Sequence, residues 1–323
     1  MYTNKTFLRD IENEASDLGI EWEKISNVLI TGATGLIGSH LSFALAKRGI
    51  KVYAVGRNKE KLEQLPAIPI VIDDITDAIE IEDEIDYVIH GANSTQSREF
   101  IENPVDITKS IICGTMNVLD FSLKKQVKGV VYLSSVEVYG KTEKYPLFEE
   151  DLGYLDLSNI RNCYPEAKRI AENLCASYSK QFGLQVKIAR LTQILGSGVD
   201  YKDNRLFGYA ARAIVEKKDI VLNTKGGTVR SYCYVSDAVR AVLYILTKGE
   251  EGQTYNVADK DTECSISEIV ELIASKNNIK VVYDIKDTGG LYPVETRTVI
   301  NTEKIEKIGW CAKSNELHKD LNQ

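Results

Sequence analysis

The chain has 323 residues and is 43% hydrophobic, so it can bury a large core as one big domain or as two closely packed lobes. Its formal net charge of −7 excludes the basic surface that nucleic acids and anionic membranes attract. Its apolar runs are far below membrane-spanning length, and its acidic N-terminal stretch lacks the form of a signal peptide, so we expect a soluble cytoplasmic protein without nucleic-acid or membrane partners.

Cysteine and histidine usage predicts neither disulfides nor a metal site. The six cysteines contain no CxxC pair and, in a chain of this size, indicate reduced thiols. The three histidines, His40, His90 and His318, have no second candidate ligand nearby in the sequence, which argues against a zinc or iron centre.

Residues 1–26 precede the first predicted strand. Leu8, Ile11, Ala15 and Leu18 recur there with helical spacing. We therefore predict an N-terminal helical extension that packs its apolar face on the body of the protein. A partner-binding helix is the alternative interpretation.

A glycine-rich turn joins the first predicted strand to a helix. The apolar run Val28–Ile30 is followed by Gly32, Gly35 and Gly38 at three-residue spacing, and apolar residues then recur with helical period. This order brings backbone N–H groups and the positive end of a helix dipole to one spot, which suits a pyrophosphate. We therefore prefer a pyrophosphate-binding turn to a glycine-rich turn that binds no ligand. Glycine is needed because a Cβ would block the turn or the ligand's close approach. The predicted cofactor-binding turn also includes Thr34, Leu36 and Ile37.

Apolar strand-like runs alternate with helical patterns through the first 190 residues, which indicates a parallel sheet covered on both faces. We predict an α/β fold, a Rossmann-type doubly wound parallel sheet, with an NAD(P)-binding domain at 27–192. Residues 193–323 are predicted to form mainly a smaller C-terminal substrate-binding lobe, with 252–258 returning to the Rossmann sheet. The predicted strands are Val28–Ile30, Val52–Val55, Ile68–Ile72, Tyr87–Ile89, Val130–Leu133 and Val186–Ala189, and the predicted helices include Ser39–Arg48, Ile107–Lys124 and Ala167–Gln181.

The residues that follow the second and third predicted strands are candidates to contact the adenosine of a bound dinucleotide. Gly56 and Arg57 stand where an acidic residue would bond the ribose 2′-OH of NAD, whereas a basic residue accommodates the 2′-phosphate of NADP. Arg57 favours NADP, unless it stacks on adenine. Asp74, followed by Ile75, ends the third strand and is a candidate partner of the adenine amino group, or a helix cap. The sequence therefore leaves the choice between NAD and NADP as cofactor open.

A second pattern carries acid–base chemistry. Tyr164 lies four residues before Lys168, so both side chains share one helical face. A neighbouring ammonium stabilises the phenolate and lowers the pKa of the tyrosine, which can then accept a proton from a carbinol. Ser135 and Glu137 end the predicted fifth strand at the sheet edge that carries the glycine turn, where a hydroxyl can share the substrate oxygen with Tyr164.

In this order and at these separations, the motifs TGATGLIGSHL, SSVEVYG, NCYPEAKR and RSYCYVSD resemble the extended short-chain dehydrogenase/reductase family. More narrowly, the chain is similar to nucleotide-sugar epimerases, dehydratases and decarboxylases over about residues 27–310. The resemblance implies NAD or NADP, tightly held and regenerated in each cycle, at Gly32, Gly35 and Gly38.

The same resemblance implies roles for further residues and a homodimer. Ser135, Tyr164 and Lys168 match the family's catalytic trio, with Glu137 beside them, and Tyr164 and Lys168 also contact the cofactor. Arg230 matches an arginine that contacts the substrate diphosphate, since its fork bonds two oxygens at once. The implied substrate-binding residues are Ser94, Thr95, Gln193, Asn204, Arg205, Arg230 and Arg297, although loop salt bridges are the alternative for Asn204, Arg205 and Arg297.

Some residues differ from the family's usual motifs, and these differences favour one of the family's reactions over the others. Val136 stands where 4,6-dehydratases carry an aspartate and decarboxylases a serine, and a valine cannot protonate a leaving hydroxyl. Gln193 and Ile111 each replace a common asparagine. We therefore predict an NAD(P)-dependent epimerase that acts on a nucleotide-activated sugar or alditol through a transient keto intermediate, in surface-polysaccharide precursor synthesis. The alternatives are a nucleotide-uronic acid decarboxylase like those acting on UDP-glucuronate, a 4,6-dehydratase, or a non-catalytic NAD(P)-binding scaffold.

Overall fold

A seven-stranded parallel sheet forms the centre of the computed structural model, which describes residues 2–285 and 295–313. The strands are β1 (Val28–Thr31), β2 (Val52–Gly56), β3 (Ile68–Val71), β4 (Tyr87–His90), β5 (Gly129–Ser135), β6 (Val186–Leu191), β7 (Gln193–Leu195), β8 (Ile220–Leu222), β9 (Val229–Tyr234), β10 (Thr254–Val257), β11 (Asp259–Ser265), β12 (Val281–Tyr283) and β13 (Arg297–Thr298). The central sheet has the order β10-β6-β5-β4-β1-β2-β3. Every neighbouring pair in it is parallel.

Helices cover both faces of this sheet. They are α1 (Lys5–Ala15), α2 (Leu36–Lys47), α3 (Lys59–Leu62), α4 (Glu99–Glu102), α5 (Pro104–Lys125), α6 (Cys163–Phe182), α7 (Leu206–Glu216), α8 (Val235–Lys248), α9 (Ile266–Lys276) and α10 (Glu303–Glu306). Alternate residues of β1 point to opposite faces: Val28 and Ile30 share a core with α2 and α8, whereas Leu29 shares one with α5 and α6. The predicted doubly wound α/β fold is confirmed.

The third strand is less covered than the prediction of a sheet with helices on both faces implies. β3 lies at the edge of the sheet with β2 as its neighbour. Ile68 is 39% exposed and Val71 is 47% exposed. A short apolar run has the same sequence pattern whether its strand lies in the centre of a sheet or at its edge.

The N-terminal helix forms and buries Ile11 and Ala15 as predicted, but its buried face differs from the prediction at the two leucines. Leu8 and Leu18 are largely exposed, while Phe7, Asp10 and Glu14 are fully buried in α1. The prediction was wrong on these two leucines because it followed hydrophobic periodicity alone. The buried carboxylates find polar partners on other elements, since α1 packs on α2 and α8.

The elements after β6 add two smaller sheets. β9 pairs with β11, β13 and β7, and β8 pairs with β12. β10 returns to the central sheet beside β6. Residues 286–294 and 314–323 of the predicted substrate lobe, including His318, lie outside the described residues.

The chain order of the strands marks where a ligand binds. β1 lies between β2 and β4, so the chain runs outward in one direction through β2 and β3 and in the other from β4. In doubly wound sheets, ligands occupy the crevice at the carboxyl ends of the strands at such a switch point. The glycine turn follows β1 and the Ser94–Thr95 segment follows β4, at this position.

In the described part of the chain, no helix is both long enough and apolar enough to cross a membrane. Within residues 2–285 and 295–313, no group of three or more histidine, cysteine, aspartate or glutamate side chains is placed to hold a metal ion.

Candidate active site

The glycine turn after β1 forms a cradle that side chains would fill. Gly32 has φ +72°, and a Cβ there would lie 2.7 Å from the carbonyl oxygen of Gly91. A Cβ at Gly38 would lie 2.4 Å from the carbonyl oxygen of Gly32. Gly35 precedes α2 and caps it without a side-chain hydrogen bond, so the first N–H groups of the helix remain for a ligand. The cradle and the helix end together fit the pyrophosphate of a dinucleotide.

Gly38→Ala is expected to weaken dinucleotide binding by about 10-fold or more, because relieving a 2.4 Å backbone contact must move the helix start or the turn. Fluorescence titration with NADH and NADPH measures the effect. Gly129→Ala is the matched control, since its Cβ would meet the Tyr87 ring at 3.4 Å, an ordinary contact. Wild-type affinity in Gly38→Ala would show that the cradle does not hold the cofactor.

Arg57 and Asp74 lie near each other at the ends of β2 and β3. Backbone and side-chain hydrogen bonds from Thr76 hold the pKa of Asp74 below its usual value, and the charge of Arg57 acts in the same direction. Arg57 is exposed. Ile75 is buried against α5, where its side chain fills the space in front of Gly114. The geometry therefore brings these three predicted cofactor-side residues to one edge of the sheet.

The predicted trio comes together at the carboxyl end of β5. Ser135 ends that strand, and Tyr164 and Lys168 project from the first two turns of α6. Tyr164 is 4% exposed and Lys168 is 1% exposed. The Ser135 side chain is close enough to Tyr164 to lower the pKa of its phenol.

Burial raises the pKa of Tyr164 above its ordinary value, and the charge of Glu137 adds to this. The nearby hydroxyl of Ser135 and the positive charges of Arg205 and Arg161 act in the opposite direction. In the protein alone, Tyr164 is therefore a neutral phenol at neutral pH. Its use as a base depends on positive charge that reaches it during the reaction.

Lys168 is held in place by the strand that carries Ser135. Its Nζ donates a 2.7 Å hydrogen bond to the carbonyl oxygen of Leu133 and lies 4.5 Å from the centroid of the Tyr132 ring. Nζ is 5.9 Å from the Tyr164 ring centroid. Burial lowers the pKa of Lys168 to about 7, so a proton can leave or return to this ammonium near neutral pH.

Two residues that sequence reasoning missed complete the site. Arg161 donates two hydrogen bonds to the Glu137 carboxylate, at 2.9 and 3.2 Å. The Phe100 ring stacks on Tyr164 with centroids 4.4 Å apart, and the Arg161 guanidinium lies 5.6 Å from the Phe100 centroid. Only the position of Arg161, three residues before Tyr164, offered a signal in the sequence; Phe100 offered none.

The ion pair keeps Glu137 negatively charged. Burial raises the pKa of Glu137, but the charge and hydrogen bonds of Arg161, together with the charge of Arg230, outweigh burial, and the pKa lies below its usual value. Glu137 is thus unsuited to donate a proton at neutral pH. Arg230, on β9, has a buried Nε without a hydrogen-bond partner.

The predicted substrate-side residues divide into two groups. Arg205 forms a loop salt bridge with Asp203 at 2.6 Å, but it also donates a 3.0 Å hydrogen bond to Thr95 and its charge reaches Tyr164, so Arg205 and Thr95 lie at the site. Gln193 begins β7 beside Tyr232 on β9, and Ser94 accepts a hydrogen bond from the backbone of Gln96. Two others have partners elsewhere: Asn204 accepts a hydrogen bond from Arg212, and Arg297 pairs with Glu263 and stacks on Tyr145.

A family model described as "NAD dependent epimerase/dehydratase family" matches residues 28–258, which is most of the chain. The chain belongs to this family. It is therefore an enzyme of the extended short-chain dehydrogenase/reductase type that uses NAD or NADP, as the motifs predicted.

Curated relatives in this family include decarboxylases. The chain is 29% identical to UDP-glucuronic acid decarboxylase 6 of Arabidopsis thaliana over 298 residues, 88% of this chain and 84% of the relative. It is 34% identical to the UDP-N-acetyl-alpha-D-glucosaminuronate decarboxylase of Bacillus cytotoxicus, over 75% of this chain and 78% of the relative.

Solved structures of family members share the fold. A UDP-N-acetylglucosamine 4-epimerase from Methanobrevibacter ruminantium, in complex with UDP-N-acetylmuramic acid, superposes with a TM-score of 0.81 at 22% identity, covering 92% of this chain and 96% of that one. A dTDP-glucose 4,6-dehydratase from Streptomyces venezuelae with NAD bound superposes with a TM-score of 0.77 at 20% identity and the same coverage. Likeness at this identity shows the architecture alone.

Proposed function

We propose that this enzyme is an NAD(P)-dependent epimerase of a nucleotide-activated sugar or alditol, acting through a transient keto intermediate. The arrangement of Glu137 carries the proposal. Arg161 holds this carboxylate as an anion, and the neighbouring Val136 has no proton to give. Inversion of a carbinol needs only the Ser135–Tyr164–Lys168 trio, whereas elimination of water needs a proton donor for the leaving hydroxyl.

Each residue of the trio has a defined task in this proposal. Tyr164 accepts the proton of the substrate hydroxyl and later returns it, while Ser135 holds the same oxygen. Lys168 supplies the positive charge that stabilises the phenolate. A dinucleotide with its pyrophosphate in the glycine cradle would supply reversible hydride acceptance through its nicotinamide. The stack of Phe100 on Tyr164 excludes water from one side of the phenol.

Arginines are available to bind a diphosphate. Arg230 has a buried Nε that lacks a partner, and a phosphate oxygen would satisfy this donor. The charge of Arg205 also reaches Tyr164, although this arginine pairs with Asp203 in the protein alone. These contacts support a nucleotide-diphosphate substrate, in keeping with the UDP-linked and dTDP-linked sugars that the names of related proteins carry.

Decarboxylation of a nucleotide-linked uronic acid is the second candidate. It is favoured by curated relatives at about 30% identity, which carry decarboxylase names. Once a keto group stands β to the carboxylate, carbon dioxide leaves without a proton donor for a hydroxyl, so the valine at 136 does not oppose it.

The products of the reaction distinguish epimerisation from decarboxylation and dehydration. Purified enzyme with NAD or NADP is incubated with UDP-linked hexoses, N-acetylhexosamines and their uronic acids, and the products are separated and weighed by mass spectrometry. An isomer of unchanged mass supports epimerisation. Release of carbon dioxide without an isomeric product overturns it in favour of decarboxylation, release of water identifies a dehydratase, and no turnover of any substrate favours a scaffold.

We also propose a cytoplasmic homodimer that supplies precursors for a surface polysaccharide. The neighbouring helices α5 and α6 expose Val105, Met116, Ile170 and Phe182, each 40–62% accessible. Burying such a face against a second copy removes apolar area from water. Light scattering coupled to gel filtration measures the mass, and a monomer at micromolar concentration would contradict the dimer.

A further inference from the structure

The loop between β7 and α7 is tied to three separate parts of the molecule. We call residues 197–205 the strap. Its first residue, Ser197, is bonded to α1, and Asp200 forms an ion pair with Lys61 at 2.6 Å. Its last residue, Arg205, donates to Thr95 at 3.0 Å.

The positions of these ties determine the path of the strap. Lys61 belongs to α3, which follows β2, and Thr95 lies in the loop after β4. In the sheet, β1 lies between β2 and β4. Two strand spacings amount to roughly 10 Å, and residues 200–205 span at most about 17 Å when extended. The strap therefore passes over the carboxyl end of β1, where the glycine cradle begins.

The near end of the strap is anchored by the N-terminal helix. Asp10 of α1 accepts hydrogen bonds from Ser197 at 2.5 Å and from Tyr234 at 2.8 Å. The neighbouring carboxylate of Glu14 pairs with His40 at 2.7 Å, and the other ring nitrogen of His40 lies 3.0 Å from the Ser197 carbonyl oxygen. Asp10, Glu14 and His40 are all fully buried.

Apolar contacts join the same elements. Gly198 of the strap has φ +84°, and a Cβ there would lie 3.2 Å from the Phe7 ring of α1. Tyr2 packs on Phe7 and on Phe43 of α2, with centroids 5.2 and 5.1 Å apart. The N-terminal segment thus contacts both the helix that follows the cradle and the loop that crosses it.

We propose that α1 holds the strap over the dinucleotide and thereby slows release of the cofactor, with Asp10 as the positioning residue. The strap must lift before a dinucleotide lying in the cradle can leave, and each tie that is cut makes lifting easier. This role explains why α1 buries two carboxylates that a helix serving only to cover the core would not need. The inference rests on the family's cofactor and does not depend on which reaction follows.

The test measures cofactor release from the full-length enzyme. NADH or NADPH is bound, displaced with excess oxidised dinucleotide, and its dissociation rate is followed by stopped-flow fluorescence. Asp200→Asn cuts the exposed tie to Lys61, and we expect release to become about 2- to 5-fold faster. Ser197→Ala removes the bond to Asp10 but leaves Asp10 bonded to Tyr234, and we expect release to become about 5- to 10-fold faster.

Two controls separate retention from general stability. Asp83→Asn cuts an exposed 2.8 Å pair with Lys51 before β2, at the amino-terminal edge of the sheet, and Ser275→Ala removes an exposed hydroxyl of α9. Wild-type release rates in both controls, with faster release in both strap variants, support the proposal. Unchanged release in either strap variant, or equal acceleration in Asp83→Asn, overturns it.

Discussion

Replacing Tyr164 with phenylalanine is expected to lower kcat by about 10²- to 10⁴-fold, the range typical of a lost general acid–base. The substitution removes the phenolic oxygen and keeps the ring that stacks on Phe100 at 4.4 Å. The cradle for the dinucleotide pyrophosphate is formed by β1 and α2, whereas this hydroxyl belongs to α6. Affinity for NADH or NADPH is therefore expected to stay within about 2- to 3-fold of wild type.

The control for this variant lies on the same helix. Tyr178 of α6 donates a 2.7 Å hydrogen bond to Asp120 on α5 and lies outside the site. Tyr178→Phe is expected to retain wild-type kcat. Steady-state kinetics on the substrate that gives product, together with thermal melts of both variants, measure the effects. Near-normal turnover in Tyr164→Phe would remove this residue from the reaction and would favour a scaffold.

Replacing Arg161 with methionine is expected to produce the largest loss of stability among single changes at the site. Removing one partner of a buried ion pair costs about 3–5 kcal/mol, because the other charge stays buried alone. Since 23% of the Glu137 side chain is exposed, we expect the lower end of this range. Chemical denaturation at pH 7 measures the free energy of unfolding.

The pH dependence distinguishes loss of the ion pair from loss of packing. Arg161 holds the pKa of Glu137 below its usual value, so the pair stabilises the fold above the unfolded pKa of about 4.3 and loses this contribution as the pH falls through the folded pKa. In Arg161→Met, burial without the arginine raises that pKa, and Glu137 can become neutral. The stability deficit relative to wild type should therefore be largest at pH 7 and shrink toward pH 4.

Two further variants make this prediction specific. Adding Glu137→Gln to Arg161→Met removes the uncompensated charge and should recover part of the loss. Arg98→Met breaks the exposed pair with Glu102, which solvent screens, and should leave the free energy of unfolding close to the wild-type value. A deficit in Arg161→Met that is the same at pH 7 and pH 4, or no larger than in Arg98→Met, would contradict the role assigned to the ion pair.

Features encoded by neighbouring residues were predicted well. The order of strand, glycines and helix from Val28 to Leu41 is a local pattern, and the cradle that the structure shows follows from it. The same holds for Tyr164 and Lys168, because four residues return a helix to the same face. The alternation of strands and helices similarly determined a parallel sheet covered on both sides.

Other features arise only where distant segments meet. The Glu137–Arg161 pair joins the turn after β5 to the approach to α6, and Phe100 reaches Tyr164 from the segment after β4. Hydrophobic periodicity also gave part of the wrong buried face for the N-terminal helix. It considers only apolar residues and treats every carboxylate as exposed to water. Asp10 and Glu14 are buried because Ser197, Tyr234 and His40 donate to them or pair with them.

By itself, the sequence determined the sheet, the glycine turn after β1 and the shared helical face of Tyr164 and Lys168, because each depends on spacing between residues close together in the chain. The tertiary structure decided the charge state of Glu137, the burial of α1 and the path of the strap. Burial and charge depend on partners 24 to 224 residues away in the chain. A local pattern specifies a side chain's position on its own element, and packing between elements determines what that side chain meets.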